Sequence, residues 1–155
     1  MLILPSELSV TFLDARGNAV PGVLASLYLY WHGQYYYPFP FGLSDTAGSV
    51  RADGAEVHRH FRDQQQLYPM DLKVPLEECD EEAGIKVYGG AEFEEHRRSL
   101  RPEWTEAAWM ERWRSACNQR FASSETKVAL TSTVSLSLSI TLQPSGPVGP
   151  GGRAT

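Results

Sequence analysis

The final third of the chain carries the pattern that most restricts its fold, a strict alternation of apolar and polar residues. Such alternation places apolar side chains on one face of a strand and polar ones on the other, as in an antiparallel sheet with one solvated face. Residues 126–142 would extend about 55 Å, longer than a usual strand, so we predict a bend, bulge or turn near Ser132 and Thr133. The apolar members, all at even positions, are Val128, Leu130, Val134, Leu136, Leu138, Ile140 and Leu142. The polar members, all at odd positions, are Lys127, Thr131, Thr133, Ser135, Ser137, Ser139 and Thr141.

Short strands and turns are predicted for the first half of the chain. Residues 8–12 alternate in the same way, and a turn follows over 14–18, where Gly17 accepts positive φ and Asp and Asn bond their own backbone. Residues 23–31 predict a second strand with apolar side chains on both faces, so this strand is central or covered.

The next segments are less regular. Residues 32–42, HGQYYYPFPFG, contain two prolines and two glycines and are predicted to form a loop. A turn over 44–48 leads into a short strand at 49–52, whereas residues 53–69 are ambiguous. Further strands are predicted around 70–74 and 85–88, separated by an acidic loop over 77–82.

A change of composition after Gly90 predicts a helical segment over residues 91–121. Pro102 suits the first turn of a helix, and Trp109, Trp113 and Cys117 follow at helical spacing. After Pro144 the chain is rich in Gly and Pro, which is typical of a linker or a disordered end.

The first half resembles a known pattern. Residues 9–50 run strand, Asp14-x-x-Gly17-x-x-Val20-Pro21-Gly22, strand, and then Ser44-Asp45-x-x-Gly48-x-Val50. This order resembles the prealbumin-like or carboxypeptidase-regulatory-like β-sandwich, which the collagen-adhesin B-type repeats share. The resemblance implies a mainly β, antiparallel, Ig-like sandwich. Residues 91–121 depart from the family pattern, and we expect them to be a helical insertion. We expect one domain over residues 1–143 and a flexible tail over 144–155.

A pair of histidines, His58 and His60, is the most suggestive metal-binding motif. On a strand, residues i and i+2 face the same side, so both imidazoles could bind one metal. Intradiol ring-cleavage dioxygenases share the sandwich and a similar His-x-His-Phe pair, and that resemblance implies tyrosine ligands such as Tyr35, Tyr36, Tyr37 or Tyr68. The alternative is a surface strand or helical turn that carries His and Arg.

Two other chemistries found on this sandwich lack their residues here. Transthyretin-like hydroxyisourate hydrolases need a His in the first strand and a C-terminal Tyr-Arg-Gly-Ser, but this chain has Phe12 before Asp14 and ends its last strand Ile140-Thr141-Leu142. Collagen-adhesin B-type domains often cross-link a first-strand Lys to a last-strand Asn, and neither is present in those strands. We predict no catalytic residues, no metal site and no cofactor.

The acidic loop over residues 77–82 and the two cysteines are each explained without a metal site or a disulfide. The carboxylates of residues 77–82 could hold calcium, but their spacing lacks the alternation of an EF-hand, and a solvated loop is the simpler reading. Cys79 and Cys117 could pair, although the absence of a visible signal peptide favours reduced thiols.

A dense group of aromatic residues supplies the predicted interaction surface. Aromatic side chains are enriched at protein interfaces and sugar-binding platforms. The alternatives are a loop folded back over the sandwich and a Trp stripe packed on the sheet. The predicted interaction residues are Trp31, Tyr35, Tyr36, Tyr37, Phe39, Phe41, Trp109 and Trp113.

Charge and composition narrow the functional classes. The net charge of −5 and the pI of about 5.3 disfavour nucleic acid or an anionic membrane as partner. No apolar run approaches a membrane span. We therefore predict a non-catalytic interaction or structural subunit that assembles with copies of itself or with another protein, in the cytoplasm or in a particle exported without a signal peptide. The alternatives are a carbohydrate or small-ligand module and a metal-dependent enzyme at His58 and His60.

Overall fold

The computed structural model of the protein describes residues 1–66, 74–88 and 121–144. Within them the chain forms seven strands, one α-helix, α1, and a 3-10 helical turn at Leu76–Glu78. The elements are β1 (Glu7–Leu13), β2 (Leu24–Trp31), β3 (Gln34–Leu43), β4 (Ser49–Asp53), α1 (Gly54–Gln65), β5 (Glu82–Val87), β6 (Ser124–Ala129) and β7 (Leu136–Thr141). Most of the predicted strand at 70–74, the predicted helical segment up to Arg120 and the tail beyond Pro144 lie outside the described residues.

Two sheets enclose the core. One sheet has the strand order β4-β1-β7 and the other β3-β2-β5-β6. Neighbouring strands are antiparallel, except that β1 and β7 run parallel with Val10 opposite Leu138. Phe12, Leu27 and Ile85 are fully buried between the sheets. The predicted fold class, a mainly β sandwich of the prealbumin-like type, is confirmed, with one parallel pair where only antiparallel pairs were expected.

The two predicted Asp/Gly turns have the same construction. Asp14 Oδ1 accepts hydrogen bonds from the N–H groups of Arg16 and Asn18, each at 2.9 Å. Asp45 Oδ1 accepts from Ala47 and Ser49, also at 2.9 Å. The glycine that closes each turn has a positive φ, +82° at Gly17 and +75° at Gly48, a conformation that glycine adopts without steric penalty.

The long alternating segment is divided as predicted. β6 ends at Ala129 and β7 begins at Leu136, and the residues between them include the predicted bend at Ser132 and Thr133. The side chains of Leu130, Ile140 and Leu142 are buried, whereas that of Val134 is 72% exposed because it lies in the turn. The period-two pattern therefore predicts the face of each strand, and the excess length of the segment over a usual strand predicts the bend between the two.

The prediction of a loop over residues 32–42 is wrong, since β3 extends over Gln34–Leu43. Its prolines, Pro38 and Pro40, are compatible with a strand because β3 lies at a sheet edge, where a missing N–H need not interrupt a ladder. Register shifts against β2 occur between Ala25 and Ser26 and between Leu29 and Tyr30. The Pro-rich sequence thus forms an irregular edge strand.

The ambiguous segment after residue 53 forms α1. Asp53 is its N-cap, and its Oδ1 accepts hydrogen bonds from the N–H groups of Ala55 at 2.7 Å and Glu56 at 3.1 Å. Val57 and Phe61, four residues apart on one helix face, are buried in the core. The helix packs against β3 and β4 and closes that side of the sandwich.

Candidate functional site: an open sheet edge

The two sheets present four edge strands, namely β4 and β7 in one sheet and β3 and β6 in the other, within the described part of the chain. An edge strand exposes unpaired N–H and C=O groups that can pair with another chain, and proteins usually block such edges with prolines, bulges, charges or a covering helix. The four edges differ in how they are blocked.

Helix α1 and irregular geometry protect the edges of β3 and β4. Strand β3 carries two prolines and two register shifts, and α1 packs against it. Strand β4 is short, carries exposed charges at Arg51 and Asp53, and continues directly into α1. Neither edge presents a long regular row of backbone groups.

Charged side chains occupy the edge strand β6. Glu125 and Lys127 are exposed on it. The Lys127 ammonium lies 3.7 Å from the centroid of the Tyr30 ring, and Lys86 lies over Tyr28 and Tyr88 on the same outer face of the sheet. Although this face points away from the core, Tyr30 is only 3% exposed, which agrees with the prediction that β2 is central or covered.

In the described part of the chain, strand β7 has none of these features. It contains neither proline nor glycine, and no charged residue occurs from Val128 to Gln143. Its polar side chains, Ser137, Ser139 and Thr141, are exposed. Its six residues form an unbroken parallel ladder with β1 on one side, and no strand pairs with the other side among residues 1–66, 74–88 and 121–144.

The direction of the β7 peptide groups follows from its ladder. The N–H of Leu142 donates to the carbonyl of Leu13 at 2.7 Å, so the backbone groups of the even-numbered residues point toward β1. Along a strand, the N–H and C=O groups of one residue point to one side and those of the next residue point to the other. The N–H and C=O groups of Ser137, Ser139 and Thr141 therefore point away from β1.

A backbone hydrogen bond marks the C-terminal end of this edge, and the start of the β7 ladder marks its N-terminal end. At the C-terminal end, the N–H of Ala122 donates to the carbonyl of Gln143 at 2.9 Å and so occupies the next outward group. At the N-terminal end, the β7 ladder begins at Leu136, and the hydroxyl of the preceding Ser135 lies 2.9 Å from that of Ser6, the residue before β1. We call the segment between them, residues 136–142, the β7 edge.

The predicted aromatic surface is divided by the structure. Phe39 is 1% exposed and contacts Phe61, with 6.2 Å between the ring centroids, and Phe41 packs against the same core. These two residues stabilise the core, because they lie on strand β3 where a loop was expected. Tyr35, Tyr36 and Tyr37 lie on β3, where the description is limited to the backbone, and Trp109 and Trp113 lie outside the described residues.

Trp31 keeps an exposed position at the tip of the β2–β3 hairpin. Its side chain is 36% exposed and makes an edge contact with the ring of His32, with 4.5 Å between the centroids. The tip is fixed by Asp80, whose carboxylate accepts hydrogen bonds from the backbone N–H groups of His32 and Gly33. No local sequence pattern indicates this role of Asp80, which lies 47 positions after Gly33 along the chain.

The two histidines lie on α1, which is the helical alternative and not the strand that a shared metal site required. Residues i and i+2 of a helix point about 200° apart, so the two rings face different surroundings. His58 is exposed, while the ring of His60 packs edge-on against Phe39 with 5.1 Å between the centroids. No cluster of three metal-ligating side chains occurs in the described ranges.

A groove of about 480 Å³ lies beside the first turn of α1. Leu2, Leu4, Pro5 and Leu76 supply much of its apolar wall, and His58 and Glu77 are the ionisable side chains that line it. The groove brings the N-terminal segment, α1 and the 3-10 turn together, and most of the described residues that line it are apolar or small.

The acidic loop surrounds a buried thiol. Cys79 is a free cysteine with 4% exposure, and its Sγ lies 3.9 Å from the carbonyl oxygen of Pro75. Burial, and then the negative charges of Asp80, Glu77 and Glu78, raise the pKa of this thiol to about 11. Such a thiol stays protonated at neutral pH and is a poor nucleophile.

Comparisons with known proteins identify no family for the chain. No protein-family model and no curated protein matches the chain. Solved structures with similarity include a 5-hydroxyisourate hydrolase from Klebsiella pneumoniae, at 16% identity and a TM-score of 0.40 over 91% of this chain and 92% of that one. A streptococcal ancillary pilin matches at 11% identity and a TM-score of 0.39, over 91% of this chain and 33% of the pilin. In the described part of the chain, no helix has the length and apolar character needed to cross a bilayer.

Proposed function

We propose that this chain is a non-catalytic structural subunit that assembles with other chains through the β7 edge. The observation that carries the proposal is the contrast among the described sheet edges. β3, β4 and β6 carry prolines, register shifts, a covering helix or charges, whereas β7 is regular and uncharged.

The chemistry of the β7 edge suits strand addition. An added strand would pair with the outward peptide groups of Ser137, Ser139 and Thr141, and main-chain hydrogen bonds supply much of the affinity in this mode of recognition. The added strand would also cover Leu136 and Leu138, which are only half-buried at this margin of the core. Neither the main-chain pairing nor the covering of the two leucines requires a conformational change in the sandwich.

A single added charge tests the proposal. In Ser139→Lys, an exposed hydroxyl becomes an ammonium in the middle of the β7 edge, and lysine at an edge opposes strand addition. Ala129→Lys is the matched control, since Ala129 is also exposed on an edge strand but belongs to β6.

The readout is the mass in solution, measured by light scattering, with circular dichroism to verify that each variant is folded. We expect the wild-type chain and Ala129→Lys to form the same assembly and Ser139→Lys to shift toward the monomer. A wild-type chain that stays monomeric at all concentrations and in the presence of its co-expressed partners would overturn the proposal, as would an unchanged assembly in Ser139→Lys.

We further propose that the chain belongs to the carboxypeptidase-regulatory-like, collagen-adhesin B-type group, as a single domain over residues 1–143 with a flexible tail. The shared construction of the turns at Asp14 and Asp45 supports this membership. Limited proteolysis tests the boundary: cleavage after residue 143 should leave a folded product with an unchanged unfolding midpoint. Early cleavage inside residues 1–143 would contradict it.

A carbohydrate or small-ligand module is the second candidate, favoured by the position of Trp31. An exposed indole on a hairpin tip that is held by Asp80 forms a fixed stacking surface. Saturable binding to a glycan panel that is lost in Trp31→Ala and kept in His58→Ala would support this candidate. Absence of binding across the panel would eliminate it.

A further inference from the structure

We infer that the strand which pairs with the β7 edge is β7 of a second copy of the chain, antiparallel to the first, with Ser139 opposite Ser139 across a two-fold axis. This inference rests on the proposed function, since it specifies the partner and the register of the same edge. Pairing in this way would join the two three-stranded sheets into one six-stranded sheet with the order β4-β1-β7-β7-β1-β4.

The available peptide groups select this register. In an antiparallel pair, residues whose N–H and C=O point at each other exchange two hydrogen bonds, so odd-numbered residues of one β7 must face odd-numbered residues of the other. Centring on Ser139 places Ser137 opposite Thr141 and uses all the outward groups of both strands. A shift by one pair toward the C-terminus would place Ser137 opposite Gln143, whose carbonyl already accepts from Ala122.

A shift in the other direction is also less favourable. It would place Thr141 opposite Ser135, which precedes the first residue of the β7 ladder, and would leave fewer pairs within the ladder. The register centred on Ser139 is therefore the one that pairs Ser137, Ser139 and Thr141 of both copies with one another, in a symmetric contact in which each residue meets its counterpart.

The side chains match in the same register. On the exposed face, hydroxyl groups would meet hydroxyl groups, and Ser/Thr pairs across strands are favourable. On the inner face, Leu138 of one copy would lie beside Ile140 of the other, which would cover the half-buried Leu138. With no charge between Val128 and Gln143, two copies of a chain with net charge −5 can approach at this edge without repulsion from its own residues.

Disulfide cross-linking tests the register directly. Hydrogen-bonded antiparallel pairs have Cα atoms about 5.5 Å apart, which lies within disulfide range, so oxidised Ser139→Cys should form a covalent dimer. In Ser137→Cys the two introduced thiols would be about 14 Å apart along the strands and should not link. An equal mixture of Ser137→Cys and Thr141→Cys should link as a heterodimer. Oxidised wild-type chain controls for Cys117 and for the buried Cys79.

The outcomes separate this inference from the proposal on which it rests. A Ser139→Cys dimer that forms at least tenfold faster than the Ser137→Cys dimer would support the symmetric register. If Ser139→Cys does not link, or links no faster than Ser137→Cys, while Ser139→Lys still dissociates the assembly, the edge binds a different strand and the inference is overturned alone. If Ser139→Lys also leaves the assembly unchanged, the inference and the proposed function both fail.

Discussion

Asp80 holds the backbone of Gly33 in the tip of the β2–β3 hairpin, with 2.9 Å between Asp80 Oδ2 and the Gly33 nitrogen. Asp80 Oδ1 accepts from the His32 N–H at 3.1 Å, and the Asp80 N–H donates to the carbonyl of Tyr30 at 2.7 Å. His32 and Gly33 both have positive φ, +51° and +78°, as in the two-residue turns that match strand twist. The acidic loop thus positions the exposed Trp31.

Removal of this carboxylate should destabilise the protein locally. A hydrogen bond to a charged group contributes about 1.5–3 kcal/mol when buried, and this site is partly solvated, so we expect Asp80→Ala to lower the free energy of unfolding by about 1–2 kcal/mol. Urea denaturation measures the change, and faster amide exchange at His32 and Gly33 locates it. Glu78→Ala, an exposed neighbour in the same loop, should change the stability by less than about 0.5 kcal/mol. Equal effects of the two variants would contradict this role for Asp80.

Two glycines with similar φ should respond differently to alanine. A Cβ on Gly48 would lie 2.8 Å from the carbonyl oxygen of Phe12 and 2.9 Å from the nitrogen of Val20, whereas a Cβ on Gly17 would meet nothing within 4 Å. Gly17→Ala should therefore lower the free energy of unfolding by about 1–2 kcal/mol, because alanine is strained in the left-handed backbone conformation. Gly48→Ala should cost more, because backbone atoms must move. Thermal or urea unfolding compares them, and a smaller loss for Gly48→Ala would show that the β1–β4 junction yields to the added carbon.

The parts of the fold that could be predicted are those with short-range causes. The turns at Asp14 and Asp45 close through bonds within five residues, and the faces of β6 and β7 follow from side-chain alternation. Strand β3 was missed because proline discourages a strand in general but is tolerated at an edge, and edge position depends on the whole sheet. Val57 and Phe61, both buried, have the spacing of one helix face, but a single pair of apolar residues four positions apart was too short a pattern to predict α1.

The candidate site was predictable only in part. A regular strand able to reach a neighbour follows from residues 134–142, but its position at an edge does not. That position depends on the parallel pairing of β7 with β1, which joins Leu8 to Leu136 across most of the chain. Likewise, Phe39 and Trp31 have similar sequence surroundings, and only the register of β3 on β2 distinguishes a core residue from an exposed one.

Alanine substitutions of Phe39 and Trp31 should differ in their effect on stability, because only Phe39 lies in the core. Phe39→Ala removes a fully buried ring that contacts Phe61 and His60, and we expect a loss of about 3–5 kcal/mol in the free energy of unfolding. Trp31→Ala removes a larger but exposed ring and should cost less than about 1 kcal/mol. Urea denaturation of both variants measures the contrast. A Phe39→Ala loss as small as that of Trp31→Ala would place Phe39 on the surface, as a loop over 32–42 would have done.

The buried thiol of Cys79 should make stability fall at high pH. Because the pKa of Cys79 is about 11 in the folded chain and 9.0 is its ordinary value, only the unfolded chain releases this proton between those two pH values. The contribution of the buried Cys79 thiol to the free energy of unfolding is therefore fully present below pH 9 and is lost as the pH rises toward 11.

Comparison of the wild-type chain with Cys79→Ala isolates the contribution of this thiol to the pH dependence of stability. The free energy of unfolding of the wild type should fall more steeply between pH 9 and 11 than that of Cys79→Ala. At neutral pH, mass spectrometry should find the Cys79 peptide unlabelled by iodoacetamide in the folded protein and labelled in urea, because a buried, protonated thiol is neither accessible nor nucleophilic. The opposite result would be an equal fall in the free energy of unfolding with pH in the two proteins, together with rapid labelling of Cys79 in the folded chain. That result would mean that the 3-10 turn at Leu76–Glu78 opens in solution and exposes the thiol.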